Sequence, residues 1–259
     1  MIAVGIVGMG VIGRAIARAV TTDLPGVTLA GVTVRAPAKA AGYPALPLLE
    51  LIRRSDLIVE AATQAALRDF GPAVLEAGKD LMVLSVGALV GVLDEWARLA
   101  ETHRCRILVP SGAIAGLDGV KGAREGAITS VTMETRKPPR GLAGAPYIAQ
   151  HRIDLDAITR ETLIFEGPAS EAVRAFPANV NVVAALSLAG VGPERTRIRI
   201  FAVPGQQRNQ HRITIEGEFG RLAIEVENVP SENPRTGKLS YLSAIAMLRE
   251  LGASVRVGT

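Results

Sequence analysis

The sequence predicts an α/β protein whose first half is a doubly wound parallel sheet, and three observations carry that prediction. The chain starts on a β-branched run, Ile2-Ala3-Val4-Gly5-Ile6-Val7, which meets glycines spaced G-x-G-x-x-G at Gly8, Gly10 and Gly13 and then an Ala-rich helical pattern. Short apolar runs then alternate with helical patterns up to about residue 110. Beyond Gly119 the period changes to strict alternation, and strands follow one another with fewer helices. The expectation is a Rossmann-type doubly wound sheet over residues 1–110 and a second α/β domain, containing a mainly antiparallel sheet, over residues 111–235.

The elements follow in order. After the first helix, which stops before Pro25, Val27–Val34 reads as a strand and Leu46–Arg53 as a short helix. Asp56–Ala62 is a buried strand by its apolar run, and Thr63 and Gln64 open a helix that runs through Glu76. Asp80–Ser85 (strand), Val92–Thr102 (helix) and Arg104–Pro110 (strand) continue the alternation. In the second half, Ile128–Arg136 alternates as a long strand, and the Pro/Gly-rich stretch 138–146 reads as a lid or a disordered loop. Helices are expected over Ala169–Ala175 and Val180–Leu188, and three consecutive strands over Arg195–Val203, Gln207–Gly217 and Gly220–Asn228. A helix over 236–251, with apolar positions at Leu239, Leu242, Ile245, Ala246 and Leu248, is expected to pack back on the first domain.

The glycine motif points to a dinucleotide. Gly8 permits the turn, Gly10 lets backbone approach a pyrophosphate, and Gly13 lets the helix lie close to the strand. The exposed N–H groups of Val11, Ile12 and Gly13 at the helix start then face an anion. Proteins that prefer NAD place a carboxylate at the end of the second strand to bind the adenosine ribose. Here Thr33-Val34-Arg35 stands in that place, so a guanidinium is available to hold a 2′-phosphate, which favours NADP or use of both cofactors. The alternative is a solvated Arg35 and NAD bound without the carboxylate. Small residues at three later strand ends, Ala62-Thr63-Gln64, Ser85–Ala88 and Pro110–Gly116, would also let a cofactor lie against backbone.

Composition narrows the function. The net charge is +4, but the Arg residues are scattered, without a dense basic run or interleaved aromatics, which argues against a nucleic-acid partner. Cys105 is the only cysteine, so no intramolecular disulfide and no cysteine-based metal site is expected. The first residues already form a core strand, and no apolar run is long enough for a membrane helix, so a cytoplasmic protein is expected.

Candidate chemistry lies in the second half. The period-two rule puts His211 on one strand face with Ile213 and Ile215, as a core histidine or as a group facing a site. Asn179 and Asn181 are either helix caps or amide partners for a nicotinamide carboxamide. Arg136, Lys137 and Arg140 form either a carboxylate clamp or a solvated basic loop. No His/Asp/Glu metal constellation is present.

Taken together, these stretches resemble the L-aspartate dehydrogenases. The resemblance rests on Gly8–Gly13, Val59–Gln64, Leu84–Leu89, Pro110–Gly119, Asn179–Val182 and Glu227–Gly237, which run through the chain in the family's order. It implies a nicotinamide-dependent enzyme, using NAD or NADP, that oxidatively deaminates L-aspartate to iminoaspartate or to oxaloacetate and ammonia, reversibly. It also implies Ala115 and Asn181 as cofactor contacts, His211 as the catalytic acid/base, and a second domain that often serves dimerisation, hence a homodimer. The family's acidic residue at the end of the second strand is absent here, which bears on strict NAD preference. Candidates for the substrate carboxylates are Lys137 and Arg136, and Asn233 and Thr236 in the Asn233-Pro234-Arg235-Thr236 turn. Rival readings are a related oxidoreductase in the manner of homoserine dehydrogenase or dihydrodipicolinate reductase, or a non-catalytic dinucleotide sensor.

Overall fold

The computed structural model of the chain describes residues 1–178, 180–229, 231 and 237–258. Contacts divide it into two units, Met1–Pro110 with Tyr241–Val257, and Ser111–Ser240. The first unit runs β1 (Ile2–Val7), α1 (Val11–Thr22), β2 (Val27–Thr33), α2 (Leu48–Arg54), β3 (Leu57–Glu60), α3 (Gln64–Glu76), β4 (Asp80–Val83), α4 (Leu93–Thr102) and β5 (Ile107–Leu108). The strands are parallel in the order β2-β1-β3-β4-β5, so the winding reverses beside β1. Val4, Ile6, Ile58, Val59, Leu81 and Met82 are fully buried, as strands covered on both faces require.

The strands are shorter than the apolar runs that predict them. β3 ends at Glu60 rather than Ala62, and β4 at Val83 rather than Ser85. The cause is Glu60 itself, whose carboxylate gathers the N–H groups that would otherwise continue the ladder. Thr63 caps α3 by accepting from the Ala66 N–H at 3.2 Å, as the sequence suggests.

The second unit runs α5 (Leu117–Arg124), β6 (Ile128–Lys137), α6 (Pro146–Gln150), β7 (Thr162–Pro168), α7 (Ala169–Ala175), α8 (Asn181–Ala189), β8 (Thr196–Ala202), β9 (Asn209–Gly217) and β10 (Gly220–Asn228). Its sheet has the order β10-β9-β6-β8-β7, antiparallel except where β8 runs parallel to β6. The three consecutive late strands form as expected, with β6 lying between β8 and β9 in the sheet. An unforeseen edge strand, β7, pairs with β8. The stretch 138–146 is neither disordered nor an open loop: prolines start two short helical turns there, and Gly141, Leu142, Ala145 and Ile148 are buried.

α9 (Leu239–Leu251) closes the chain. From it, Ala244 and Leu248 are buried in the apolar cluster formed by Ile16, Val20, Leu24 and Val27 of the first unit, and the Arg249 guanidinium donates to the Asp23 carbonyl at 3.2 Å. Among the described residues no helix is long and apolar enough to cross a membrane.

Candidate active site

The turn between β1 and α1 is built as its glycines require. Gly8 has φ +97°, a left-handed conformation that penalises any side chain, and a Cβ there would also meet the Ala61 carbonyl. A Cβ on Gly13 would overlap the Gly8 carbonyl oxygen, so the helix can lie this close only with glycine. Gly10 faces open space, and no side chain caps α1. The N–H groups of its first turn, at Val11, Ile12 and Gly13, therefore remain for an anion.

Beyond this turn lies a cavity of about 750 Å³, lined among others by Gly8, Gly10, Arg14, Arg35, Lys39 and Ala62. Among the described residues lining it there is no carboxylate. The Arg14 guanidinium is pinned by donating to the Met9 carbonyl at 3.0 Å. A glycine cradle, uncapped N–H groups and three cations around an acid-free cleft fit a dinucleotide. Lys39 and Arg14 went unnoticed in the sequence because neither lies at a motif position.

Glu60 is a third residue that sequence reasoning missed. It is completely buried at the end of β3, where it accepts from the N–H groups of Ala62 (2.8 Å), Leu84 (3.2 Å) and Ser85 (2.7 Å) and from the Ser85 hydroxyl (2.9 Å). Burial pushes its carboxyl above the usual range, against the pull of these donors. It joins two strand-end loops at the edge where open α/β sheets bind ligands.

In the second unit, Thr135 and Lys137 on β6, Asn209 and His211 on β9, and Asn228 on β10 are all buried and share one face of the sheet. His211 stands directly opposite Thr135, with its Nδ1 3.0 Å from the Thr135 hydroxyl. Burial, then the charge of Lys137, pushes the imidazole down to about 3. Burial also lowers the Lys137 ammonium to about 8. The Asn228 amide donates to the Ala113 carbonyl at 2.7 Å, tying the end of β10 to the loop that carries Ala115.

The remaining candidates divide. Arg136, one residue from Lys137, points to the other face, where it pairs with Glu134 and Glu161 at 2.9 Å and lies over the Phe201 ring. Strand alternation thus separates the two neighbours, and Arg136 is not brought to His211. Arg140 is exposed. Ala115 is exposed just before α5, and Asn181 is half-buried as the first residue of α8, whose N-cap is Val180 rather than an asparagine. Asn179, Asn233, Arg235 and Thr236 lie outside the described residues. Among the described residues no group of three or more His, Cys, Asp or Glu could hold a metal ion.

A parallel sheet with a glycine turn, an acid-free cleft at the sheet's switch point and a separate unit with a buried histidine and lysine define a class, the nicotinamide-dinucleotide oxidoreductases. Comparison with known proteins narrows it. Residues 118–251 match the family model described as aspartate dehydrogenase, C-terminal, and residues 8–110 that described as homoserine dehydrogenase, NAD binding domain. The L-aspartate dehydrogenase of Methanosarcina barkeri (strain Fusaro / DSM 804) is 47% identical, with 100% of both chains covered. L-aspartate dehydrogenase 3 of Bordetella bronchiseptica is 45% identical over 99% of this chain and 97% of its own. The crystal structure of aspartate dehydrogenase from Thermotoga maritima matches with a TM-score of 0.82 at 25% identity, covering 100% of both chains. The chain belongs to the L-aspartate dehydrogenase family, and it is an NAD(P)-dependent amino-acid dehydrogenase.

Proposed function

We propose that the protein oxidises L-aspartate at Cα to the imine, which water converts to oxaloacetate and ammonia, and that it runs the reverse reaction when ammonia is supplied. The observation that carries this reading is the buried pair of Lys137 and His211 on one sheet face in a chain of this family. Bound NAD(P) supplies the hydride acceptor. Val11, Ile12, Gly13 and the neighbouring glycines hold its pyrophosphate, and Ala115 and Asn181 are its further contacts. Arg35 and Lys39 face the 2′-phosphate of NADP, so NADP is accepted at least as well as NAD.

Lys137 binds a substrate carboxylate. A buried ammonium favours an anion beside it, and a substrate carboxylate offers one through a charge-assisted hydrogen bond. His211 is the general acid/base. In the empty protein it is neutral and a poor base, since burial and the Lys137 charge both oppose protonation. A dicarboxylate cancels the Lys137 charge and adds its own, which raises the basicity of the imidazole when there is a proton to take from the substrate amine or from the attacking water. The protein works as a cytoplasmic homodimer in this reading, and light scattering tests the assembly.

Initial rates test the reaction, with L-aspartate and each cofactor, and with oxaloacetate plus ammonia in reverse. Substrate-dependent turnover with L-aspartate and none with homoserine is the expected result. No rate above background in either direction, despite tight NADPH binding, would instead favour a dinucleotide sensor.

A further inference from the structure

Thr135 has no place in the sequence motifs, yet it is the residue that contacts the imidazole. The antiparallel register sets it directly across from His211, both are buried (2% and 3% exposed), and Oγ1 lies 3.0 Å from Nδ1. The neighbours on the same face are Lys137, which can only donate, Asn209 and Ile213 along β9, and Val226 opposite on β10. Lys137 is the charged group acting on the ring. A threonine hydroxyl is at once a donor and an acceptor, and its β-branched side chain is stiff at χ1, so Oγ1 is held in place while its hydrogen turns.

We propose that Thr135 is a positioning residue for His211, its hydroxyl accepting from Nδ1–H both when Nε2 is free to take a proton and when Nε2 carries one in the imidazolium. The proposal rests on the reading of His211 as the acid/base. It gives that residue what a reversible reaction needs: one fixed ring orientation and one tautomer, so that Nε2 both takes the proton and returns it. When Nε2 takes the proton, the imidazolium keeps its Nδ1–H bond to the Thr135 oxygen, a charge-assisted interaction stronger than its neutral counterpart. Valine has the same shape and offers no acceptor.

Thr135→Val and Thr135→Ser test this, read beside His211→Ala. In Thr135→Val, kcat falls about 10- to 100-fold while the aspartate KM and the NADPH Kd stay within about twofold. The acid limb of its kcat–pH profile moves about one unit lower, because the imidazolium has lost its acceptor. Thr135→Ser recovers both properties. A Thr135→Val limb that does not move, or a Thr135→Ser enzyme as slow as Thr135→Val, overturns the proposal while His211→Ala remains inactive. An active His211→Ala overturns instead the acid/base reading on which it rests. If Thr135→Val does not fold, the imidazole 15N spectrum of the wild type against Thr135→Ser decides: Nδ1 shifts marking a hydrogen bond in both proteins support the proposal, and their absence in the wild type overturns it.

Discussion

The two units hold positive charge in opposite ways. Around the cleft of the first, Arg14, Arg35 and Lys39 are exposed. On the sheet face of the second, Lys137 and His211 are buried, and burial pushes the pKa of both below the ordinary value. Exposed cations attract a phosphate weakly and reversibly, and salt screens them. A buried cation meets a ligand's charge in a medium that screens little, so in the proposed role it discriminates strongly and couples binding to the proton chemistry beside it. In the proposed roles, recognition of the cofactor's far end would be graded and recognition of the substrate steep.

Breaking the buried side should have the largest effects. His211→Ala is expected to lose about 100-fold or more in kcat, with the NADPH Kd unchanged by fluorescence titration. Lys137→Met should raise the aspartate KM about 100-fold, because a charged ligand loses a charge-assisted hydrogen bond in a dry site. It should also move the acid limb of the kcat–pH profile upward, since the charge that opposes imidazole protonation is gone; an unchanged KM removes Lys137 from the site.

The buried pair is also visible without substrate. His211 is lowered from 6.5 to about 3, so between those values the unfolded chain binds more protons and stability falls as pH drops. Between pH 7 and pH 5 this contributes about 2 kcal/mol of lost stability, and His211→Gln should flatten the pH dependence of urea unfolding by that amount. Lys137, lowered from 10.5 to about 8, adds a gain of stability as pH rises through that window. The smallest effect belongs to the exposed side. Arg35→Ser should weaken 2′,5′-ADP about tenfold, leave 5′-AMP unchanged and reduce the salt dependence of 2′,5′-ADP binding; equal weakening of both ligands would place Arg35 away from the 2′-phosphate.

The same division marks what could be read from the chain. The parallel sheet was legible because β1, β3 and β4 are apolar on both faces and the glycines of the first turn have fixed mechanical tasks. Glu60 was not, since nothing in Val59-Glu60-Ala61 announces that the distant N–H groups of Leu84 and Ser85 converge on it with that of Ala62. β7 escaped notice because Leu163 is exposed and the run is short, so no alternation declares an edge strand. The insertion of β6 between β8 and β9 is a matter of long-range pairing that no local pattern encodes. At the site, alternation placed His211 facing inward, and the same rule separates Lys137 from Arg136 once β6 is known to extend to residue 137. Thr135 became visible only with the register of β6 against β9.

α9 packs on elements more than 200 residues earlier in the sequence. During synthesis β1 and α1 leave the ribosome long before Ala244 and Leu248, so their shared apolar cluster stays uncovered until the rest of the chain has been made. A nascent chain stopped at residue 110 carries a sheet with part of its core still facing water. The nucleotide-binding unit reaches its full stability only once α9 has been made, so a truncation before Ala244 damages a unit whose sheet was made much earlier.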